Sequence, residues 1–412
     1  MTIVQAIGKR IGVVAAAGVL LVGHVPVCMA GDALWGAITG GNFAANLRYR
    51  LENVDQAGVP QDANASTLRT RFGYTTGMYY GLNLLVQGVN VAVVGPQDYN
   101  DTINGKTRFP VVADPPLTDM NQVYLQYSAL PKTVVRLGRQ RVKLDNARWI
   151  GNVGFRQNEQ TFDAVTAVNQ SIPNVAVTYG YIANVHRIFG PDSPNGHFRM
   201  DSDLVNVSYR GFGLGTLTGY AYLLGFDTAP ALSTSTYGLR FAGTHGLGRG
   251  IRLLYTGEYA RQVDYRNNPN HYGLNYFFGE AGAGYSAFML KLGYEVLEGN
   301  GTQSVQTPLA TLHAFDGWAD VFLTTPPNGL DDRYITGGAG LMGVDLLLTY
   351  HDFTANKGSA GYGTEWDFQA KKTFAKRYTV GLTYANFNAD SNAPFRDVRK
   401  LWLWGQMRFS TL

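Results

Sequence analysis

Cysteine is almost missing from this 412-residue chain: Cys28 is the only one. A disulfide framework and a thiolate metal site are therefore excluded. Charge is also scarce, at 16% of positions, against about 25% in soluble domains. Beyond residue 30 no apolar run reaches the roughly 18 residues of a spanning helix, which rules out a helical membrane protein. Disorder is excluded in turn, because 45% of residues are hydrophobic and 13% aromatic. The formal charge is only +4, so bulk charge gives no case for nucleic acid as a partner. What is abundant is glycine, with 50 residues, and tyrosine, with 25. The surviving classes are large and all-β: a soluble sandwich or propeller, or a membrane barrel.

The first segment points to a compartment. Lys9 and Arg10 precede the apolar stretch Ile11 to Val22, and Cys28-Met29-Ala30 offers small residues at the cleavage-determining positions. This pattern predicts a secretory signal peptide over residues 1–30, cut after Ala30, and one domain over 31–412. Both charges of that segment are basic, so the mature chain carries +2. Cys28 leaves with the signal.

The mature chain shows no clear helical period. It shows eighteen segments with period-two alternation, from Phe43–Asn53 and Thr67–Tyr79 through Thr133–Leu144 and Gln160–Asn169 to Val398–Phe409. Alternation of this kind is the strand signal. Every second connection is tight, as at Tyr80-Gly81, Pro131-Lys132, Met342 and Ala375-Lys376-Arg377. The others are longer, and Pro96 to Met120 and Gly299 to Asp331 are much longer. Strict alternation of short and long connections is how an outer-membrane barrel is built, with the short turns in the periplasm. The fold expected is all-β: a transmembrane antiparallel up-and-down barrel of about eighteen strands around an aqueous lumen.

The alternation also names two faces. In Ala45 to Glu52, the residues Ala45, Leu47, Tyr49 and Leu51 face lipid, and Asn46, Arg48, Arg50 and Glu52 face inward. The second strand turns Arg69 and Arg71 inward in the same way. Four cations on neighbouring strands repel one another unless carboxylates or bound anions offset them. Glu52, Asp163, Glu258 and Glu365 are the candidate balancing wall charges, and a local anion path is the alternative. The last strand turns Trp402, Trp404, Gln406 and Arg408 inward, and the two indoles are candidates for stacking on sugar rings. Val134 to Leu144 breaks phase: Arg139, Arg141 and Lys143 follow Val135 and Leu137 on one side. A bulge at Gly138 would turn these cations inward, adding Arg139 and Arg141 to the anion path.

Other motifs carry no chemistry. Gly338-Ala-Gly340-Leu-Met-Gly343 matches a dinucleotide fingerprint by letters, but a strand follows it where a helix is required. Asn104-Gly105-Lys106-Thr107 reads as an Asn-Gly turn. The mature histidines, His351 among them, show no metal-ligand spacing. No catalytic residue, metal or cofactor is expected.

Longer runs resemble a known group. Gly138-Arg139-Gln140-Arg141, then Leu144-Asp145-Asn146-Ala147-Arg148-Trp149-Ile150-Gly151-Asn152 and Phe155-Arg156-Gln157-Asn158-Glu159-Gln160-Thr161-Phe162-Asp163, are similar to the alginate export family of outer-membrane barrels. Arg187-Ile-Phe-Gly190-Pro191-Asp192 and Thr311 to Asp320 fit the same group, and the resemblance runs from about Asn42 to Phe409. It implies an eighteen-stranded channel in the outer membrane of a Gram-negative cell. It further implies a polysaccharide solute, alginate or a related anionic saccharide, passing through an arginine-rich constriction. The implied partners are outer-membrane lipid, lipopolysaccharide and the barrel-assembly machinery. The exporters of the family carry a long periplasmic plug, whereas Ala375-Lys376-Arg377 is only a few residues. The function expected is a porin-like channel for anionic sugars or oligouronates. A general or uptake porin is the alternative in the same class, and a barrel enzyme or adhesin the alternative outside it. N-terminal sequencing of the purified membrane form should read from Gly31; a chain retaining Lys9 and Arg10 would contradict the processing.

Overall fold

The structure, a computed structural model, describes residues 27–411. Lys9, Arg10 and the apolar stretch of the expected signal lie outside the described residues. Eighteen strands follow one helix, α1 (Val27–Thr39). They are β1 (Asn42–Gln56), β2 (Ala63–Thr75), β3 (Leu82–Asp98), β4 (Leu117–Tyr127), β5 (Thr133–Gln140) and β6 (Thr161–Asn169). Next come β7 (Val175–His186), β8 (His197–Tyr209), β9 (Thr216–Leu224), β10 (Thr234–Gly248), β11 (Ile251–Asp264) and β12 (Gly273–Tyr285). The last six are β13 (Phe288–Leu297), β14 (Leu330–Leu341), β15 (Val344–Thr354), β16 (Gly361–Phe374), β17 (Tyr378–Ala389) and β18 (Val398–Ser410). Each pairs antiparallel with its neighbours in sequence, and β18 pairs with β1 to close the sheet. Closure leaves no strand edge unpaired, which a sheet in hydrocarbon requires.

The register sorts the side chains as the alternation does. Leu47 lies opposite Met407 and Leu51 opposite Leu403, on the outer face; Arg48 lies opposite Gln406 and Arg50 opposite Trp404, on the inner face. The outer wall is apolar: Leu292 is 60% exposed, Leu239 54% and Phe277 48%. Such a surface is a liability in water and is matched to lipid. The tight turns have the backbone a right-handed hairpin needs. Tyr80 and Gly81, Arg249 and Gly250, and Met342 and Gly343 are adjacent pairs with positive φ, the requirement of a type I′ turn. The glycine run around Gly338 is thus the end of a hairpin.

Three findings depart from the sequence reading. The helix α1 spans the expected cleavage point and is tied to the base of the barrel, where Gly77 N–H donates to Ala37 O at 2.8 Å and Tyr74 OH to Ile38 O at 2.5 Å. Next, β5 stops at Gln140, four residues early, and residues 141–160 form a loop. Finally, the middle of the barrel is not simply aqueous. Loops 99–116, 141–160 and 298–329 fold into it. Tyr99, Val112, Ile150, Val305, Leu309 and Phe322 from these loops join one buried cluster with inward wall residues such as Tyr276, Phe353 and Trp402. Apolar loop side chains find partners there that a water-filled pore could not give them, each worth about 1.5–3 kcal/mol when fully buried.

Residues 31–412 contain no cysteine, which suits them to testing this topology. Thr302→Cys, in an exposed loop at the long-loop end, should react with an impermeant maleimide on intact cells. Ser171→Cys, in an exposed short turn, should react only after the outer membrane is opened. The reverse pattern would invert the barrel.

Candidate functional site

The inner faces of β1 and β2 bring four arginines together. Arg48 lies directly opposite Arg69, and Arg71 opposite Asn46. All four are buried, Arg50 to 2% exposure. A buried guanidinium must be given acceptors, because it cannot shed its charge. The loop 141–160 supplies most of them, four from its backbone and the rest from the Gln157 and Glu159 side chains. Arg48 donates to Gly154 O at 3.1 Å, to Gln157 Oε1 at 2.9 Å and to Arg156 O. Arg50 donates to Phe155 O at 2.7 Å and pairs with Asp114, and with Glu52 at 3.3 Å. Arg71 donates to Gln157 O at 3.2 Å and pairs with Glu159 at 3.1 Å. Arg69 donates to Asn46 Oδ1. The arginine row is therefore a clamp on one loop as well as a row of positive charge.

The clamped loop has its own carboxylates. Burial alone would raise the Glu159 carboxyl, but Arg71 and Arg141 outweigh it and hold it down at about 2. Burial likewise opposes ionisation of Asp114, and Arg50 and Arg156 overcome it. Arg156 is a second hub. Its guanidinium reaches Glu52 at 3.1 Å and Asp320 at 2.9 Å. Asp320 also receives Lys400 at 2.8 Å and faces His313 Nδ1 at 2.8 Å. Burial disfavours the Asp320 charge, yet Lys400, His313 and Arg156 keep its carboxyl well below the usual range. Two loops and two strands, β1 and β18, meet at this hub.

Beside it Phe155 closes the path. Its ring stacks on His313 at 3.6 Å between centroids and stands edge-on to Trp402 at 5.4 Å, with Arg50 over it at 4.9 Å. The stretch Val153 to Arg156 separates two cavities. The one toward the long-loop end has a volume of about 600 Å³ and is lined by Val153, Arg156, His313 and Lys400 among others. The one toward the short turns has about 340 Å³. It is lined by Arg48, Arg50, Phe155, Lys371, Trp404 and Arg408 among others, and no carboxylate is in its lining.

The loop 298–329 is fixed on the opposite side. Arg148 pairs with Glu295 at 2.6 Å and Asp316 at 2.9 Å. Glu365 accepts Ala319 N–H at 2.6 Å, and a Cβ at Gly317 would lie 2.4 Å from that carboxylate. His351 pairs with Asp332 at 2.9 Å. Among the described residues no group of His, Cys, Asp and Glu is arranged to hold a metal ion.

The structure redistributes several expected site residues. Gly138 has φ +126°, and a Cβ there would meet Val123 O at 2.3 Å. Strand pairing nevertheless runs through it unbroken on both sides, so no bulge redirects the chain. Arg139 stays on the outer face with Leu137 and pairs with Asp163 at 3.2 Å and Asp119 at 3.6 Å. It stands near the strand's end, where a lipid-facing charge costs about 0–1 kcal/mol rather than the 2–4 of mid-depth. Asp163 is thus no balancing charge for the interior. Arg141 does point inside, but from the loop, donating to Glu159 at 2.6 Å and Gln87 at 3.1 Å. Glu258 balances Arg240 at 2.6 Å, not the arginine row. Trp402 is fully buried beneath Phe155 and His313 and offers no face to a solute; Trp404 lines the inner cavity. Sequence reasoning gave no role to Asp114, Arg156, Asp320, Lys371 or Lys400. Arg408 was already on the inward face of the last strand, and Lys371 follows Gln369 on the same phase.

The loop clamp has an expected pH dependence. A carboxyl lowered to about 2 on closure favours the closed loop at every pH above its ordinary value, about 4.3. That contribution, on the order of 3 kcal/mol, is lost as pH falls from there through about 2. Single-channel conductance should rise over that window. Glu159→Gln should show the higher conductance already at pH 7, with a flat acid limb. A wild-type conductance unchanged from pH 5 to 2 would contradict the clamp.

Comparison with known proteins agrees with this geometry. The family described as alginate export matches residues 41–296. No curated protein matches the chain. Among solved structures, Pseudomonas aeruginosa OpdK with vanillate superimposes with a TM-score of 0.73 at 14% identity, over 91% of this chain and 100% of that one. Acinetobacter baumannii OccAB2 gives 0.74 at 13% identity, over 92% and 100%. Pseudomonas aeruginosa OccD3 (OpdP) gives 0.69 at 16%, over 92% and 93%. At such identities the likeness is one of fold. With a closed barrel, a lipid-matched wall and a family match over more than half its length, the chain belongs to the alginate export family and is an outer-membrane porin-type channel rather than an enzyme.

Proposed function

We propose that the channel passes small anionic solutes, which move by taking over the arginine row from the loop carbonyls that hold it. The observation that carries this reading is the inner cavity: Arg48, Arg50, Lys371 and Arg408 surround it, with Trp404 at its side and no carboxylate in the lining. A pore samples its nearest wall charges, because charges beyond about 8–10 Å are largely screened. A near-neutral protein can thus present a positive path. A carboxylate suits the site chemically, since it can accept the paired hydrogen bonds of a guanidinium more strongly than an amide carbonyl does. Anionic sugars and oligouronates are the solutes that family membership favours, and the Trp404 indole gives a sugar ring a flat face. Export of a whole polyuronate is the second reading, favoured by the family alone. Against it, the turn Ala375-Lys376-Arg377 has no plug, and the closure comes from loops of the other end.

The arginines of the clamp are poor probes, because changing them also frees the loop. Lys371 and Arg408 hold no loop carbonyl. The wild type should be anion-selective in a bilayer salt gradient, less so as salt rises. Lys371→Glu with Arg408→Glu should move the reversal potential towards cations. A cation-selective wild type, or a reversal potential indifferent to the double substitution, would refute the reading.

A further inference from the structure

The outer cavity differs from the inner one in chemistry. Its lining is mainly apolar, with Val54, Leu312, Leu323, Phe395 and Phe189 among its residues. Four cations also line it, Arg156, Arg187, Arg396 and Lys400, against one carboxylate, Asp320. Arg156 and Lys400 are already committed to that carboxylate. Arg187 and Arg396 pair with no carboxylate among the described residues. Arg187 donates to Asn195 O at 3.1 Å and lies between two rings, 4.7 Å from the centre of Phe189 and 4.3 Å from that of Phe198. It opens the Arg187-Ile-Phe-Gly190-Pro191-Asp192 motif, which the closure described above does not use.

We infer that this cavity is a capture site for monocarboxylates with an apolar, flat body, held by Arg187 and Arg396 at the carboxylate and by Phe189, Phe395 and the aliphatic wall at the body. The inference rests on the anion-channel reading and narrows its solute. A uronate carries hydroxyls around its ring, and their burial against this wall would leave polar groups unpaired. An apolar body instead gains about 25 cal/mol for each Å² it removes from water. A volume of about 600 Å³ is in the usual range for a small-molecule site. Burial without a carboxylate pushes the Arg187 pKa down to about 10, the sign of a charge that an incoming anion would satisfy.

The test uses the full barrel in a planar bilayer, with 4-phenylbutyrate, its neutral amide and trigalacturonate each added at the long-loop side. Half-block by 4-phenylbutyrate should come at a concentration at least about tenfold below that of the amide, as a charge-assisted hydrogen bond provides, and below that of trigalacturonate. Arg187→Gln should weaken that block about tenfold and leave block by the amide unchanged. Arg396→Gln, at an exposed position, and Phe189→Ala are the second and third probes, each expected to weaken it several-fold. Equal block by acid and amide, tighter block by trigalacturonate, or block unchanged in all three variants would overturn the inference. Reversal potentials measured on the same channels separate the two readings. An anion-selective channel without the phenylbutyrate preference sinks this site alone, whereas a cation-selective channel sinks the reading beneath it.

Discussion

A guanidinium group carries five N–H donors and a charge it cannot lose. Placing four of them side by side on one wall obliges the protein to find acceptors for all of them inside the barrel. The placement of the loop that closes the barrel follows from how that demand is met. Two strands present Arg48, Arg50, Arg69 and Arg71, and the loop 141–160 answers with the carbonyls of Gly154, Phe155, Arg156 and Gln157. The loop is thereby drawn across the barrel. Once it is there, Arg156 becomes buried and needs carboxylates of its own, which Glu52 and Asp320 provide. Asp320 comes from a second loop, so the demand of one wall ends by organising two loops. Breaking such a buried pair by removing one partner typically costs about 3–5 kcal/mol, which explains how a polar interior can hold loops as firmly as an apolar core.

The two faces of the wall obey different solvents. Outside, every backbone group must be satisfied within the sheet, and closure of β18 on β1 achieves it. Inside, polar groups are retained because they do the work of positioning, and apolar residues enter where loops stack on one another and on inward wall residues such as Phe353 and Trp402. The result is a path with unequal halves. Near the short turns the lining is cationic and open to water. Near the long loops it is mostly hydrocarbon, with the positive charge confined to a few points. Phe155 stands between the two.

Much of this was legible in the sequence. Period-two alternation with strict short and long connections carried the barrel, its strand number and the inward face of Arg48, Arg50, Arg69, Arg71, Trp402 and Trp404, because side-chain direction in a strand is fixed by parity. What parity cannot carry is a contact between loop and wall. Nothing in the local pattern around Arg156 announces that it meets Glu52 and Asp320, both distant in sequence. For the same reason Trp402 read as an open face, although a loop covers it. Gly138 misled in another way: its positive φ is real, but it is absorbed within a continuous ladder, so Arg139 stays outside. The extension of β5 to Leu144 failed because the arginine at 141 finds Glu159 and Gln87 inside the barrel, a better environment than lipid.

Four of the acceptors that seat the loop on the arginines are main-chain oxygens, at positions 154–157. A main-chain oxygen is present whatever side chain the residue bears. The closing element can therefore exchange the group that meets the solute, Phe155 above all, without losing the attachment that holds it in place. Attachment and sieving are written in different parts of the same residues. A barrel of this design can drift from one diet of solutes to another by single substitutions, and it keeps its door on the same hinges while doing so.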